Sequence, residues 1–242
     1  MSVHTGSCGA SLTWSFDDDV ITGGALVIEG TGDMYDYDML DNKPPWFEYK
    51  NEWMGASNYI KSISLPSGLT KIGSNAFYAC LYITAVTIPD TVTAIGESAF
   101  RSCTALTGIT IPSGVTAIEK YCFSACKALT SVTFQGAVTT IKDYAFHFCA
   151  ALTSITIPNS VTKIGEYAFH LCKLLASVTL STALTEIGEC AFLYCFALNG
   201  VTIPDSVTKI GKNAFYGCTA LNNITDNSRH ILAAAEQSRW AS

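Results

Sequence analysis

From Ile60 onward the chain repeats itself every 23 residues. Ile60, Ile83, Leu106, Leu129, Leu152, Leu175, Leu198 and Leu221 open successive copies of the phrase L-T-x-V-T-I-P-x-x-V-T-x-I-G-x-x-A-F-x-x-C-x-x. A constant period without insertion admits few folds. Each copy is one turn of a stack, unable to bury its apolar side alone and completed only by its neighbours. The expectation is an α/β repeat solenoid, with seven complete turns and a partial eighth over residues 59–225.

Within each turn the fourth position is Val or Ile (Ile63, Val86, Ile109, Val132, Ile155, Val178, Val201) and the sixth is Leu, Ile or Phe (Leu65, Ile88, Ile111, Phe134, Ile157, Leu180, Ile203). Ser or Thr stands between them, the alternation of a short strand with one face buried. A second extended piece follows, as in Val161-Thr162-Lys163-Ile164, and a glycine ends it. Gly73, Gly96, Gly165, Gly188 and Gly211 hold that place, while Glu119 and Lys142 replace it twice, so a positive φ is tolerated there without being required. In the run that closes each turn, such as Glu166 to Cys172, Ala, Phe and Cys fall at i, i+1 and i+4. That spacing predicts a one-turn helix per repeat, facing inward. Phe77, Phe100, Phe123, Phe146, Phe169, Phe192 and Phe215 then stack as a buried spine.

Seven of the ten cysteines (Cys80, Cys103, Cys126, Cys149, Cys172, Cys195, Cys218) share one repeat position. Adjacent turns rise by roughly 5 Å, which brings neighbouring sulfurs near disulfide range. An odd-numbered ladder cannot pair completely, so a reduced, buried, structural row is expected. No Cys-x-x-Cys pair accompanies it to suggest metal. Cys190 replaces an exposed position, and Cys190 or Cys8 is the thiol expected to react.

Residues 1–58 differ in texture and read as a β-rich cap. Ser11–Phe16 and Ala25–Gly30 form two strands of a hairpin turning through Asp17-Asp18-Asp19 to Gly24; Pro44-Pro45-Trp46 marks an irregular crossing before Trp53 and Tyr59 enter the first turn. The spacing of Asp17, Asp18, Asp19, Asp33, Asp36, Asp38 and Asp41 matches no calcium loop, and a solvated acidic turn accounts for them. The period stops after Thr225. Residues 226–242 read as a tail in which Asn227-Ser228 caps a helix over Arg229 to Trp240, whose Ile231, Leu232, Ala235 and Trp240 cover the far end.

With 49% hydrophobic and 14% charged residues and a net charge of −6, the chain has ample core material and no basic field for nucleic acid. No apolar stretch is long enough to span a bilayer, so no membrane insertion is expected. Met1 to Ser7 lack the charged and apolar regions of a secretory signal; the residues alone suggest a cytosolic protein or a piece whose signal lay elsewhere.

The repeat phrase, the Ala-Phe and Cys ladders, and the leading segments Gly6-Ser7-Cys8-Gly9, Leu12-Thr13-Trp14, Gly30-Thr31-Gly32-Asp33-Met34 and Pro44-Pro45-Trp46 resemble the BspA-like leucine-rich-repeat (LRR) proteins of bacteria. The likeness covers all but about the last seventeen residues. It implies a right-handed, gently curved stack of short parallel strands. It also implies a secreted or cell-surface protein of a host-associated bacterium, with a role in adhesion to host extracellular or cell-surface proteins or to other cells. The resemblance brings no catalytic motif and no cofactor.

An enzyme is not expected. The four histidines, His4, His147, His170 and His230, meet no nucleophile elbow, phosphate loop or metalloprotease helix. His147 and His170 are equivalent in adjacent turns, with Asp143 and Glu166 four residues before each. Two imidazoles fall short of a metal site, and a solvent-facing repeat position accounts for them. The strand face is a monotonous sheet of Thr, Ser, Ala and Gly without the paired Thr-x-Thr rows of ice-binding solenoids. The other face carries large aromatics: Tyr121, Tyr144 and Tyr167 align, as do Phe148, Leu171 and Tyr194, with His147, His170 and Phe196 nearby. These nine residues are the candidate protein-contact surface. Two alternatives are an outer packing layer and an architectural spacer in a longer surface protein. The residues do not specify the oligomeric state.

Overall fold

The computed structural model describes residues 3–17, 24–47 and 60–226. Every pairing between successive turns has the same offset, so like stacks on like. In the first row of strands Ser154 faces Ser177 and Ile155 faces Val178; in the second Lys163 faces Glu186 and Ile164 faces Ile187. All of these pairs are parallel. In five turns the two rows are joined by a tight turn opened by proline (Pro66, Pro89, Pro112, Pro158, Pro204), whose carbonyl accepts the N–H three residues on, as in Val161 to Pro158 at 2.9 Å; Ser181 opens the same turn in another repeat. Proline suits this corner because it has no N–H to leave unpaired.

The third side of each turn is not helical, contrary to the expectation from the Ala, Phe, Cys spacing: the described residues contain no α-helix. The hydrogen bonds give the reason. Ala145, His147 and Cys149 N–H bond locally to Lys142, Tyr144 and Phe146 carbonyls, three residues back. The N–H groups between them, of Tyr144, Phe146 and Phe148, instead donate to Glu166, Ala168 and His170 of the next turn. Alternate donors are thus committed to a neighbour, so the unbroken local ladder of an α-helix cannot form. Two residues per turn take left-handed backbone to permit this, for example Tyr144 at φ 58° and Phe148 at φ 59°. Ala, Phe and Cys still face inward, which is why the spacing suggested a helix.

The repeated glycine does not use the positive φ that it could tolerate. Gly73, Gly96, Gly165, Gly188 and Gly211 are absent from the positive-φ residues. They are small because turns meet there: a Cβ on Gly188 would lie 2.5 Å from the Gly165 carbonyl carbon. Glu119 and Lys142, which replace glycine in adjacent turns, pair with each other at 2.7 Å.

Inside the stack, the seven phenylalanines form a continuous spine with ring centroids 5.2–5.6 Å apart. Beside it run the cysteines. All ten are free and buried, as expected for the ladder but not for Cys190, only 3% exposed, or Cys8, fully buried. Burial pushes the ladder thiols far up, Cys126 and Cys172 to about 12, so they stay protonated. The proton is used: Cys149 Sγ–H donates to the Phe123 carbonyl of the preceding turn at 3.2 Å, and Cys126, Cys172, Cys195 and Cys218 repeat the bond.

The cap is three-stranded. β1 (Val3–Ser7), not foreseen in the sequence, pairs antiparallel with β2 (Leu12–Asp17), which pairs antiparallel with β3 (Ala25–Asp33). β3 then pairs parallel with both β4 (Ser62–Ser64) and β5 (Gly68–Ile72). It can serve both rows because left-handed Gly30 and Gly32 and a register shift at Gly32/Asp33 bend it. Trp46 completes the cap by stacking on Phe77 at 5.9 Å and donating its indole N–H to the Ala76 carbonyl at 2.8 Å. That carbonyl is equivalent to Ala99, which accepts the Phe77 N–H. One side chain therefore supplies the ring and the donor that a preceding turn would have offered. The residues of the acidic turn from Asp18 to Thr22, Trp53, Tyr59, Asn227-Ser228 and the expected helix over 229–240 lie outside the described residues.

Candidate functional site

The two left-handed positions of each turn form two columns up the third side of the stack. One column runs Asn75, Ser98, Tyr121, Tyr144, Tyr167, Cys190, Asn213; the other runs Ala79, Ser102, Ala125, Phe148, Leu171, Tyr194, Gly217. Asn and Gly, which adopt positive φ readily, occur at the ends. The bulky residues occupy the middle, where left-handed backbone costs an L-residue about 1–2 kcal/mol. Six of the nine candidate contact residues stand in these columns.

The stack gathers all nine. Tyr144 lies between Tyr121 and Tyr167, at 4.8 and 4.9 Å. His147 and His170 run alongside with rings 5.0 Å apart; His170 meets Tyr194 at 6.0 Å, and Tyr194 meets Phe196 at 5.7 Å. His147 also meets Phe148 at 6.2 Å. Tyr194 has room because Gly217 beneath it has no Cβ. Most of these side chains are half-buried, while Tyr194 and Phe196 are exposed. The tyrosine column ends on Cys190, whose sulfur is hydrogen-bonded to the Tyr167 hydroxyl; that bond pushes the phenol up to about 12. Cys190 is therefore covered, not exposed as expected.

The histidine pair is held neutral. Burial, then His170 and Arg101, lower His147 to about 4, and burial lowers His170 as well. Ser124 Oγ lies 3.3 Å from His147 Nδ1, whereas His170 Nδ1 is buried with no hydrogen-bond partner among the described residues. Among the described residues no three His, Cys, Asp or Glu side chains gather as metal ligands.

A fringe of cations was missed in the sequence. Arg101 lies over Tyr121 at 4.7 Å and Lys120 at 5.3 Å; Lys127 and Lys173 lie over Phe148 at 5.3 and 5.8 Å. The signal was available in the period: Arg101 shares a column with His147 and His170, and Lys127 and Lys173 share one with Phe196. The strand face offers a shallow cleft along Thr179, Thr202 and Thr225 toward Asp205, lined also by Val178, Leu180, Val201 and Pro204 and without an aromatic side chain.

A family model described as the BspA type leucine rich repeat region matches residues 54–174 and 139–232, in 6 copies. Among solved structures, the leucine-rich-repeat protein of T. pallidum, TpLRR, is 23% identical over 93% of this chain and 94% of its own, with a TM-score of 0.63. The two share an LRR-like β-solenoid, here of about 7 turns. A leucine-rich-repeat protein from Eubacterium ventriosum is 23% identical over 93% of this chain and 73% of its own, with a TM-score of 0.45. A leucine rich cell surface protein from Faecalibacterium prausnitzii is 21% identical over 97% and 98%, with a TM-score of 0.35. Comparison with curated proteins gives no match.

Proposed function

We propose that this chain, which belongs to the BspA type leucine-rich-repeat family, is a non-enzymatic protein-binding or adhesion module of a bacterial surface or secreted protein, and that its contact surface is the aromatic stripe. A host extracellular or cell-surface protein is the kind of partner the family resemblance suggests.

The observation that carries this reading is the placement of bulky side chains on left-handed backbone. Three tyrosines in one column cost about 1–2 kcal/mol each in conformation, whereas the two ring pairs they form return about 0.5–1.5 kcal/mol each. Stacking alone does not offset the strain. A column of asparagines, as at Asn75 and Asn213, would suit the backbone better. Strain retained where side chains are large and partly exposed points to a task outside the fold.

The test follows from the same geometry. Tyr144→Asn, Phe148→Asn and Tyr194→Asn together relieve the backbone, so the triple variant should melt within a few degrees of wild type. Its binding to a panel of purified extracellular-matrix and plasma proteins, measured by surface plasmon resonance, should fall more than tenfold. Thr133→Lys with Thr156→Lys on the strand face is the opposing control. Binding lost in the lysine variant and kept in the asparagine variant would move the contact to the threonine sheet.

A further inference from the structure

The charges on the two sides of the solenoid are disposed differently. On the second strand row Lys142, Lys163 and Lys209 are ion-paired with Glu119 or Glu186, and Lys71 with Asp36. Around the stripe, Arg101, Lys120, Lys127 and Lys173 lie over aromatic rings and form no ion pair among the described residues. A cation on a ring face keeps its outer side open to a carboxylate, at half-dry surface where that contact counts for more than in bulk water. The stripe is also polar along its length. Its ring-bound cations run from Arg101 to Lys173, and its two exposed aromatic side chains, Tyr194 and Phe196, stand one turn further on.

Resting on the proposed contact surface, we infer the chemistry of its partner: an extended protein segment with acidic side chains at one end and apolar side chains at the other, lying along the stack. From Arg101 to Phe196 is about four turns at roughly 5 Å each, so the span of about 20 Å matches about six extended residues. Asp143, Glu166 and Glu189, which border the tyrosine column, disfavour a uniformly anionic polymer such as an acidic polysaccharide. Such a polymer would also leave Tyr194 and Phe196 unmet. The stacked tyrosines present edges rather than faces, so a sugar ring finds no flat platform on that column.

The experiment uses fluorescent ten-residue peptides and the full chain. One peptide carries a block of Glu and Asp followed by a block of Leu and Phe, a second has the blocks reversed, a third replaces the acids with Lys, and a fourth is acidic throughout. One order of the acid–apolar peptide should bind at least tenfold more tightly than the Lys and all-acid peptides, with affinity falling as salt rises. Lys127→Gln with Lys173→Gln should weaken that peptide about tenfold and flatten its salt dependence; Tyr144→Asn, Phe148→Asn and Tyr194→Asn should weaken it at any salt. Equal binding of the Lys peptide, or no peptide bound at millimolar concentration, overturns the inferred chemistry. Tighter binding of a heparin oligosaccharide that displaces the peptide does so too. The contact surface itself survives those results and fails only if the asparagine variant binds the matrix and plasma proteins as wild type does.

Discussion

At the scale of single residues, the period reports which side chains share a column but not the backbone angle at which they stand. The aromatic columns were legible as columns; their left-handed backbone was not, because Tyr, Phe and Leu carry no preference for it. The hint lay at the ends, in Asn75, Asn213 and Gly217. Cys190 was misread for a related reason, since the sequence does not say that the tyrosine beside it closes over the sulfur. The histidines give a prediction. Burial, His170 and Arg101 hold His147 neutral to about pH 4, below the ordinary imidazole value of 6.5. Between those values the unfolded chain binds a proton that the folded chain refuses, so stability falls as pH falls through that window. His147→Gln with His170→Gln should lose less melting temperature between pH 7 and pH 4.5 than wild type does, by about 3 °C or more in calorimetry. Parallel losses in the two proteins would show that the pair does not resist protonation.

At the scale of elements, the strands were readable because alternation is local, while the third side was not, because its hydrogen bonds are split between its own turn and the next. Ala, Phe and Cys at i, i+1 and i+4 fit both a helical turn and this chain of tight turns. Only the pairing of Phe146 N–H with Ala168 distinguishes them, and that is a long-range fact. The cap shows the same limit. Pro44-Pro45-Trp46 was recognisable as a crossing, yet that Trp46 takes the place of a missing turn depends on its meeting both Phe77 and the Ala76 carbonyl. Trp46→Phe keeps a ring on the spine and abandons the carbonyl, which should cost about 1–3 kcal/mol. Trp46→Ala abandons both and should cost about 3–5 kcal/mol. Urea denaturation separates the two; equal losses would mean that the indole N–H contributes nothing at that end.

At the scale of the whole molecule, one offset of 23 governs every pairing between turns, and this was the most legible property of the chain. Deleting residues 152–174 removes one period and joins Ala151 to Leu175, so every column closes up intact. That variant should keep its strand signal in circular dichroism and melt in one transition, at a lower temperature than the full chain. Deleting residues 153–174 instead puts every later column out of step and should abolish cooperative melting. If both deletions melted alike, constant register would not be what holds the stack together. Hydrogen bonds in the stack also run both ways: the N–H of each threonine of the row Thr139, Thr162, Thr185 donates to the turn before it, and that of each spine phenylalanine from Phe77 to Phe192 donates to the turn after. Any two cut faces are therefore complementary, whichever turns they come from. Gain or loss of whole periods can lengthen or shorten such a protein and leave a foldable product each time, so a lineage can alter the reach of the aromatic stripe without first inventing a new fold.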